Sequence, residues 1–316
     1  MKYEKNYRYD ILVFGETNVD LILRGDDLVP SFGQAEKLVD DATLDLGGSS
    51  GIFACGAGRL GLSLGFVGKL GNDEFGTFLK KTLNDRGVDT EHMIIDPQLK
   101  TGLTLHLSRT HDRAMLTYPG TIAALKPEDV DVNLFEVTRH IHFSSYFLQT
   151  GMQENLAELF HQAKKAGVTI SLDPGWDPEN NWNGYLDSVL DQVDIFMPND
   201  QEALKITASS SIEEALIKLN QKIPLSVIKM GRKGASASNK SGTLMCNAFQ
   251  VQSLETTGAG DSFNAGFLYA YLNSYDLEDC LRWGCACGAI STTKVGGIAG
   301  QPTVAEVEAF ISDKIK

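Results

Sequence analysis

The chain has 316 residues, of which 42% are hydrophobic and 22% charged, the balance of an ordinary globular protein with a large core. Its formal net charge of −13 argues against nucleic acid or an anionic membrane as a partner, since both attract basic surfaces. The N-terminus is polar and the sequence has no long apolar run, so we expect no signal peptide and no membrane span. The five cysteines are an odd number, which favours reduced thiols and a cytoplasmic location.

Short apolar runs alternate with amphipathic helical segments along the chain. Such alternation predicts an α/β protein with a mostly parallel sheet that helices cover on both faces. The predicted strands are Ile11–Phe14, Ser63–Val67, His140–Phe143, Val168–Leu172, Ile195–Met197 and Ser226–Lys229. The predicted helices between them include Asn155–Ala166 and Ile212–Leu219.

Two segments depart from this alternation. Residues 103–108 alternate leucine with polar residues, and after a turn at 110–113 the run Ala114–Tyr118 returns, which is the pattern of a β-hairpin. Residues 21–44 also alternate loosely between apolar and polar positions. We expect these segments to form a small sheet that stands apart from the main one.

Polar residues follow the first predicted strand. Asn18 and Asp20 lie just beyond the C-terminal end of this strand, and ligands bind at that edge of a parallel sheet. Their side chains offer donors and acceptors for hydroxyl groups. A turn with Asx-type capping explains the same two residues equally well. Another strand ends at Asp173, where the surrounding turn residues predict a loop and no role is assigned.

The segment Leu254–Phe263 is the most informative part of the sequence. Gly258, Ala259 and Gly260 let the backbone approach a ligand closely, and an amphipathic helix follows them. The N–H groups that open a helix bind anions. A carboxylate at Asp261 would repel such an anion unless it accepts a proton from an attacking hydroxyl. The segment therefore indicates a phosphoryl-transfer site, and the alternative is a tight turn with Asp261 as an ordinary N-cap.

Three of the cysteines, Cys280, Cys285 and Cys287, lie close together in the sequence. The run Trp283–Ile290 has the pattern of a helix of small residues, on which positions 285 and 287 face different sides. We therefore predict that these cysteines pack in the core and do not bind zinc.

The segment Glu255–Asp261 resembles the C-terminal signature of the ribokinase-like (PfkB) carbohydrate kinases, roughly Asp-Thr-x-Gly-Ala-Gly-Asp, with Glu255 at the first acidic position. Leu46–Ala54 and Gly65–Gly76 are similar to the family's N-terminal signature, and the matches cover nearly the whole chain in the family's order. The resemblance implies an α/β, ribokinase-like three-layer sandwich in a single domain over residues 1–316. It also implies a small β-sheet lid from segments near 21–44 and 101–119, which often forms a homodimer interface.

The resemblance further implies ATP-dependent phosphorylation of a hydroxyl on a small sugar or sugar-like substrate. Asp261 would be the catalytic base, and the anion hole would consist of Gly258, Ala259 and Gly260. The implied substrate-binding residues are Asn18, Asp20, Gly47, Gly48 and Ser49. The implied ATP-binding residues are Asn199, Glu202, Lys229, Gly231 and Gly234. Magnesium would be bound by Glu202 through water, and potassium by Glu255 and Thr257.

One residue departs from the pattern of the family. Ile52 stands where the family usually carries an Asn that bonds the sugar, so the resemblance does not identify the substrate. We expect a substrate that lacks a hydroxyl at this point or turns it toward Ser49 or Ser50. The alternatives are a nucleoside kinase on the same fold and a catalytically silent sugar-binding regulator. A dehydrogenase is disfavoured, because the third glycine of the dinucleotide motif would fall at Phe263.

Overall fold

The computed structural model describes residues 7–109, 113–182 and 184–315, so residues 110–112 of the expected hairpin turn lie outside it. Nine strands form the main sheet. In spatial order they are β15 (Gly242–Cys246), β14 (Ala235–Asn239), β13 (Leu225–Lys229), β12 (Ile195–Phe196), β11 (Thr169–Leu172), β10 (Thr138–Phe143), β1 (Tyr9–Phe14), β4 (Leu64–Val67) and β6 (Val88–Asp89).

The strands from β13 to β6 pair in parallel, and β14 and β15 add an antiparallel hairpin at one edge. All six predicted strands are confirmed, and all of them belong to the parallel part. The sequence did not predict the edge hairpin.

The helices are α1 (Ser49–Arg59), α2 (Glu74–Asp85), α3 (Thr150–Gln153), α4 (Leu156–Lys165), α5 (Leu186–Leu190), α6 (Asp200–Thr207), α7 (Ile212–Leu219), α8 (Ala259–Leu272), α9 (Leu277–Ser291) and α10 (Val304–Ile315).

The alternation of side chains along β1 separates two hydrophobic cores. Ile11 and Val13 point into the core that holds buried residues of α1, α8 and α9, whereas Leu12 and Phe14 point into the core of α4 and α7. Successive strand residues face opposite sides of a sheet, so a strand that is apolar at every position needs helices on both sides. The predicted three-layer α/β architecture is therefore confirmed.

A second, four-stranded sheet has the order β3 (Asp41–Gly47), β2 (Asn18–Arg24), β8 (Leu103–Ser108) and β9 (Arg113–Tyr118). We call it the small sheet. Strands β8 and β9 pair antiparallel, which confirms the predicted hairpin. Two further short strands, β5 (Lys69–Gly71) and β7 (Ile94–Asp96), pair with each other.

The two faces of the small sheet differ in chemistry. Paired positions share a face, and one row across all four strands consists of Leu44, Leu21, Leu105 and Leu116. The rows beside it on this face are also apolar: Leu46, Val19, Leu103 and Tyr118, then Ala42, Leu23, Leu107 and Ala114. The opposite face is largely polar and includes Asn18, Asp20, Arg24, Thr104 and His106.

Helices α8 and α9 pack closely through small residues. A Cβ atom on Gly266 of α8 would lie 2.6 Å from the Sγ of Cys287 on α9. One on Gly284 of α9 would lie 2.8 Å from the ring of Phe263. Cys280 and Cys285 are also buried in the core, as predicted.

None of the helices in the described parts of the chain has the length and apolar character that crossing a bilayer requires.

Candidate active site

The turn before α8 adopts a conformation that requires glycine. Gly258 caps the helix with a φ of +73°, and its carbonyl accepts a hydrogen bond of 2.9 Å from the Ser262 N–H. A Cβ atom on Gly258 would lie 2.8 Å from both Ile52 Cγ2 and the Gly297 carbonyl oxygen. The turn is therefore held tightly between two neighbouring segments, with the N–H groups of the first helical turn beyond it.

A second helix begins at the same place. Gly48 caps α1 with a φ of +83°, and the next residue, Ser49, hydrogen bonds the Asp261 carboxyl through its side chain. The two helices pack directly, since a Cβ atom on Gly56 would lie 3.2 Å from the Cβ of Ala265. The N-terminal ends of α1 and α8, each with partial positive charge, therefore converge on Asp261.

Asp261 is a buried carboxyl with a perturbed proton affinity. Its side chain lies in the first turn of α8, and the residue is 8% exposed. Burial, followed by the negative charges of Asp173 and Glu16, raises its pKa to about 8, while Lys229 and Ser49 favour the ionised form. A carboxyl with a pKa near neutrality can exchange a proton with a substrate hydroxyl.

Lys229, the last residue of β13, is surrounded by acidic and amide side chains. Its ammonium forms an ion pair with Asp173 and lies 3.3 Å from Asn264 Oδ1. The Asn264 amide in turn donates a hydrogen bond of 2.5 Å to Asp173 Oδ2. A Cβ atom on Gly260 would lie 3.8 Å from Lys229 Nζ, which places this charge beside the predicted anion hole.

Asp173 is the residue of this cluster that the sequence analysis left without a role. The turn-rich segment around it gave no functional signal. The acidic side chain at the C-terminal end of a parallel strand was the one indication available, because ligands bind at that edge.

Asn199 and Glu202 form a reciprocal capping box at the start of α6. The Glu202 N–H donates to Asn199 Oδ1 over 2.9 Å, and Glu202 Oε2 accepts from the Asn199 N–H over 2.8 Å. Glu202 Oε1 accepts a further bond of 2.6 Å from the Asn199 amide. Burial and then Asp173 raise the pKa of Glu202 to about 7, and Lys229 opposes them. The structure thus shows the capping interaction and brings Glu202 to the Lys229 cluster.

The two glycines after β13 have different surroundings. Gly231 has a φ of +54° and faces open space, so a ligand could approach its backbone. A Cβ atom on Gly234 would lie 1.9 Å from the Cys246 carbonyl oxygen, so close packing against the end of β15 requires glycine at this position.

The polar face of the small sheet continues the site from β2. The Asn18 amide donates to Asp20 Oδ1 over 2.9 Å and to Thr104 Oγ1 over 3.2 Å. His106 Nε2 lies 3.2 Å from the same Asp20 oxygen. Gly47 makes room for Asp20, because a Cβ atom there would lie 2.2 Å from Oδ1. These groups are buried. They adjoin Gly48, since a Cβ atom built on Gly48 would lie 3.1 Å from Asn18 Oδ1.

Glu255 and Thr257 lie just before the glycine turn and contact each other. Thr257 Oγ1 donates to Glu255 Oε1 over 2.7 Å, and the Gly296 N–H donates to Glu255 Oε2 over 2.9 Å. The Arg24 guanidinium reaches the second oxygen from the small sheet, with Nη2 at 3.6 Å. The carboxylate therefore already has hydrogen bonds on both oxygens and a cation nearby.

Comparison with known proteins identifies the family. A sequence model described as pfkB family carbohydrate kinase matches residues 8–304. The chain belongs to the PfkB family of carbohydrate kinases. It is therefore an enzyme, an ATP-dependent carbohydrate kinase, as the resemblance of its motifs implied.

Individual relatives match most of the PfkB chain. Fructokinase-2 of Solanum lycopersicum is 31% identical over 278 residues, which cover 82% of this chain and 85% of that protein. The ATP-dependent ribose-1-phosphate kinase of Halopiger xanaduensis is 29% identical over 96% of this chain and 98% of its own. The structure of Arabidopsis thaliana ribokinase complexed with ribose and ATP has a TM-score of 0.85, at 22% identity and with 96% and 98% coverage. This last similarity confirms the ribokinase-like fold.

The raised pKa of Asp261 predicts how stability changes with pH. The folded chain holds this proton more tightly than the unfolded chain, so the free energy of unfolding falls as pH rises from the ordinary value of 3.8 to about 8. Asn cannot ionise. The stability of Asp261→Asn relative to the wild type should therefore increase by on the order of 4 kcal/mol between pH 5 and pH 8. Urea unfolding at both pH values measures this.

The exposed Asp26→Asn substitution is the matched control and should change stability little at either pH. An Asp261→Asn stability difference that stays constant between the two pH values would contradict the buried, proton-binding state of this carboxyl.

Proposed function

We propose that Asp261 is the general base that activates the substrate hydroxyl of this kinase. The position of the buried Asp261 carboxyl supports this proposal most directly. The carboxyl lies where helices α1 and α8 begin, and its surroundings raise its pKa to about 8. The Asp261 carboxylate takes the proton of the hydroxyl, whose oxygen attacks the γ-phosphorus as the bond to ADP breaks. We assign the anion hole to the backbone N–H groups of Gly258, Ala259 and Gly260, which would stabilise the charge that develops on the phosphoryl oxygens. The Ala259 N–H also donates to the Thr256 carbonyl over 3.2 Å.

Lys229 supports the same step from the nucleotide side. Its ammonium adjoins Gly260 and is oriented by Asp173 and Asn264, so it lies within reach of a phosphoryl group held at the glycine turn. A cation at this position stabilises negative charge on the transferred group. We assign Asn199, Gly231 and Gly234 to the ATP-binding side as well, with Gly231 offering an open backbone and Gly234 shaping the loop.

Magnesium is part of this proposal, with Glu202 as its partner through water. Both Glu202 oxygens accept hydrogen bonds from Asn199, which leaves lone pairs for bridging waters. That arrangement fits Mg²⁺, which keeps several waters and takes few direct carboxylate ligands. Glu202 would hold the hydrated ion through water, and the ion would supply positive charge beside the phosphates.

The resemblance also implied potassium at Glu255 and Thr257. The nearby guanidinium of Arg24 does not fit a further cation at this carboxylate. No step of the reaction is therefore assigned to potassium.

We assign the sugar to the space between the glycine turn and the polar face of the small sheet. Asn18 and Asp20 supply donors and acceptors for hydroxyl groups, and Gly47, Gly48 and Ser49 line the start of α1. Membership in a carbohydrate kinase family and the sugar kinases among the relatives favour a sugar over a nucleoside.

We also propose a cytoplasmic location. The five cysteines are all free thiols, which supports a reducing environment.

We further propose a homodimer in which the small sheet covers its counterpart on a second copy. Part of its apolar face is exposed: Leu44, Leu116 and Tyr118 are 44%, 61% and 50% exposed, whereas Val19 and Leu46 on the same face are buried in the core. An exposed apolar sheet face of this kind is typical of a protein interface. Because the two faces of one sheet differ, the polar face can serve the sugar site while the apolar face binds the partner.

Light scattering should give twice the 34.4 kDa mass of one chain. Leu116→Asp should shift the mass toward one chain, since a charge in an apolar interface is costly. Leu244→Asp, which alters an exposed leucine on β15, is the control and should leave the mass unchanged. A wild-type protein with the mass of one chain at micromolar concentration would exclude this dimer.

Loss of the proposed base should abolish most turnover. Asp261→Asn should lower kcat by roughly a hundredfold or more, the scale of general-base catalysis, while ATP binding is retained in fluorescence titration. In the wild type, kcat/KM should rise with pH and level off above about 8, since only the ionised carboxyl accepts the proton. A variant with near-wild-type turnover would reduce Asp261 to a helix-capping residue.

Glu202→Gln should raise the magnesium concentration needed for half-maximal rate. The substitution removes the charge that attracts the hydrated ion but keeps an oxygen for the capping interaction. A magnesium titration of the initial rate at saturating ATP measures the effect, with exposed Asp26→Asn as the control. An unchanged titration would remove Glu202 from the metal site.

The substrate should lack a hydroxyl where it meets Ile52. This side chain is 3% exposed and packs against the glycine turn, so it presents only a small apolar surface that cannot form a hydrogen bond. A hydroxyl held against that surface would cost about 1–3 kcal/mol, or roughly ten- to hundredfold in affinity. Free ribose and fructose should therefore be poorer substrates than a deoxy or otherwise modified sugar. A panel of sugars assayed by ADP release tests this, and a Michaelis constant for ribose or fructose well below a millimolar would contradict it.

A further inference from the structure

Arg24 lies on the polar face of the small sheet and reaches toward the segment before the glycine turn. Its Nη1 donates to Asp41 Oδ2 over 3.0 Å, and its Nη2 lies 3.6 Å from Glu255 Oε2. The Nη2 atom is buried and makes no hydrogen bond within the part of the chain that the structure describes. Since a buried donor with no hydrogen-bond partner is costly, attraction to the nearby carboxylate is the interaction that favours this position.

Glu255 transmits the interaction to the active site. Its Oε2 accepts from the Gly296 N–H, and the next residue, Gly297, borders the glycine turn, because a Cβ atom on Gly258 would lie 2.8 Å from the Gly297 oxygen. Its Oε1 accepts from Thr257, the residue immediately before Gly258. Both oxygens of Glu255 therefore connect to segments that hold the turn in place.

A metal cation at Glu255 would compete with this arrangement. It would lie close to the Arg24 guanidinium, which pairs with Asp41 on its other side, and the two cations would repel each other.

We propose that Arg24 acts as the internal cation of Glu255 and positions the glycine turn, so that turnover needs no added potassium. The inference rests on the proposed kinase function, because turnover is one of its measurements. It also makes the small sheet part of the active site's support, since Arg24 reaches Glu255 only while β2 lies against this segment.

The experiment compares kcat in tetramethylammonium salts with and without potassium chloride. Wild-type kcat should change by less than about twofold, because its charge is already balanced. Arg24→Gln should lose about tenfold in kcat without potassium and recover most of it on addition. Arg24→Lys keeps the positive charge and should remain indifferent to potassium. Arg8→Gln, at an ion pair with Asp89 and Glu91, is the matched control and should also show no response.

Thermal unfolding gives a second readout that does not need a substrate. Potassium chloride should raise the Tm of Arg24→Gln above its value in tetramethylammonium chloride, since an ion that binds the folded state stabilises it. The wild type should have the same Tm in both salts.

Two results would overturn the proposal. One is wild-type turnover that depends on potassium, which decides the matter even where Arg24→Gln does not fold. The other is a folded Arg24→Gln variant whose kcat and Tm are the same with and without potassium chloride. A wild type that phosphorylates no sugar in either salt would instead overturn the proposed function, and the thermal measurement would still test Arg24.

Discussion

The positive charge of Lys229 is the constraint on which the candidate site depends. Its ammonium pairs with Asp173 and also lowers the pKa values of Glu202 and Asp261, both of which burial and neighbouring acids raise. Three carboxyl groups this close together could not all ionise in a buried site without a cation. With Lys229 present, Asp261 keeps a pKa of about 8 and can serve as a base near physiological pH.

The small sheet uses the two-residue period of a strand to serve two surfaces. On β2, Asn18, Asp20 and Arg24 face the site, while Leu21 and Leu23 lie on the opposite, apolar face. A slip in register by one residue would exchange the two sets. The proposed sugar contacts, the proposed dimer and the Arg24–Glu255 pair therefore all depend on one register between β2 and its neighbours. Gly47 contributes to that register, because any larger residue would displace Asp20.

Much of the fold could be predicted because buried parallel strands read as continuous apolar runs. Ile11–Phe14 and Ile195–Met197 are such runs, and each of the other four predicted strands contains only one or two polar residues. The helices between the strands have an amphipathic pattern. The edge hairpin of β14 and β15 escaped prediction because its residues, Ala235–Asn239 and Gly242–Cys246, are mostly small and polar. Its structure depends on pairing with β13, which local periodicity does not reveal.

The site was predictable where one short segment carries its chemistry, as in Gly258–Asp261. Asp173 was not, because its partners Lys229 and Asn264 lie 56 and 91 residues further along the chain. Arg24 was missed for the same reason, since its approach to Glu255 arises only from tertiary packing. Glu202 shows the converse, because its capping box is visible in four residues, whereas its raised pKa depends on Asp173 from another strand.

The two departures from the family pattern, Ile52 and Glu255, flank the same glycine turn. Ile52 is 3% exposed, and its side chain packs against the positions of Gly258 and Gly297. An isoleucine there supports the turn by packing, a role that a hydrogen-bonding Asn would fill less well in apolar surroundings. Glu255 is one methylene longer than Asp, and its carboxylate spans Thr257, the Gly296 N–H and Arg24. Both residues thus support the turn through contacts within the chain.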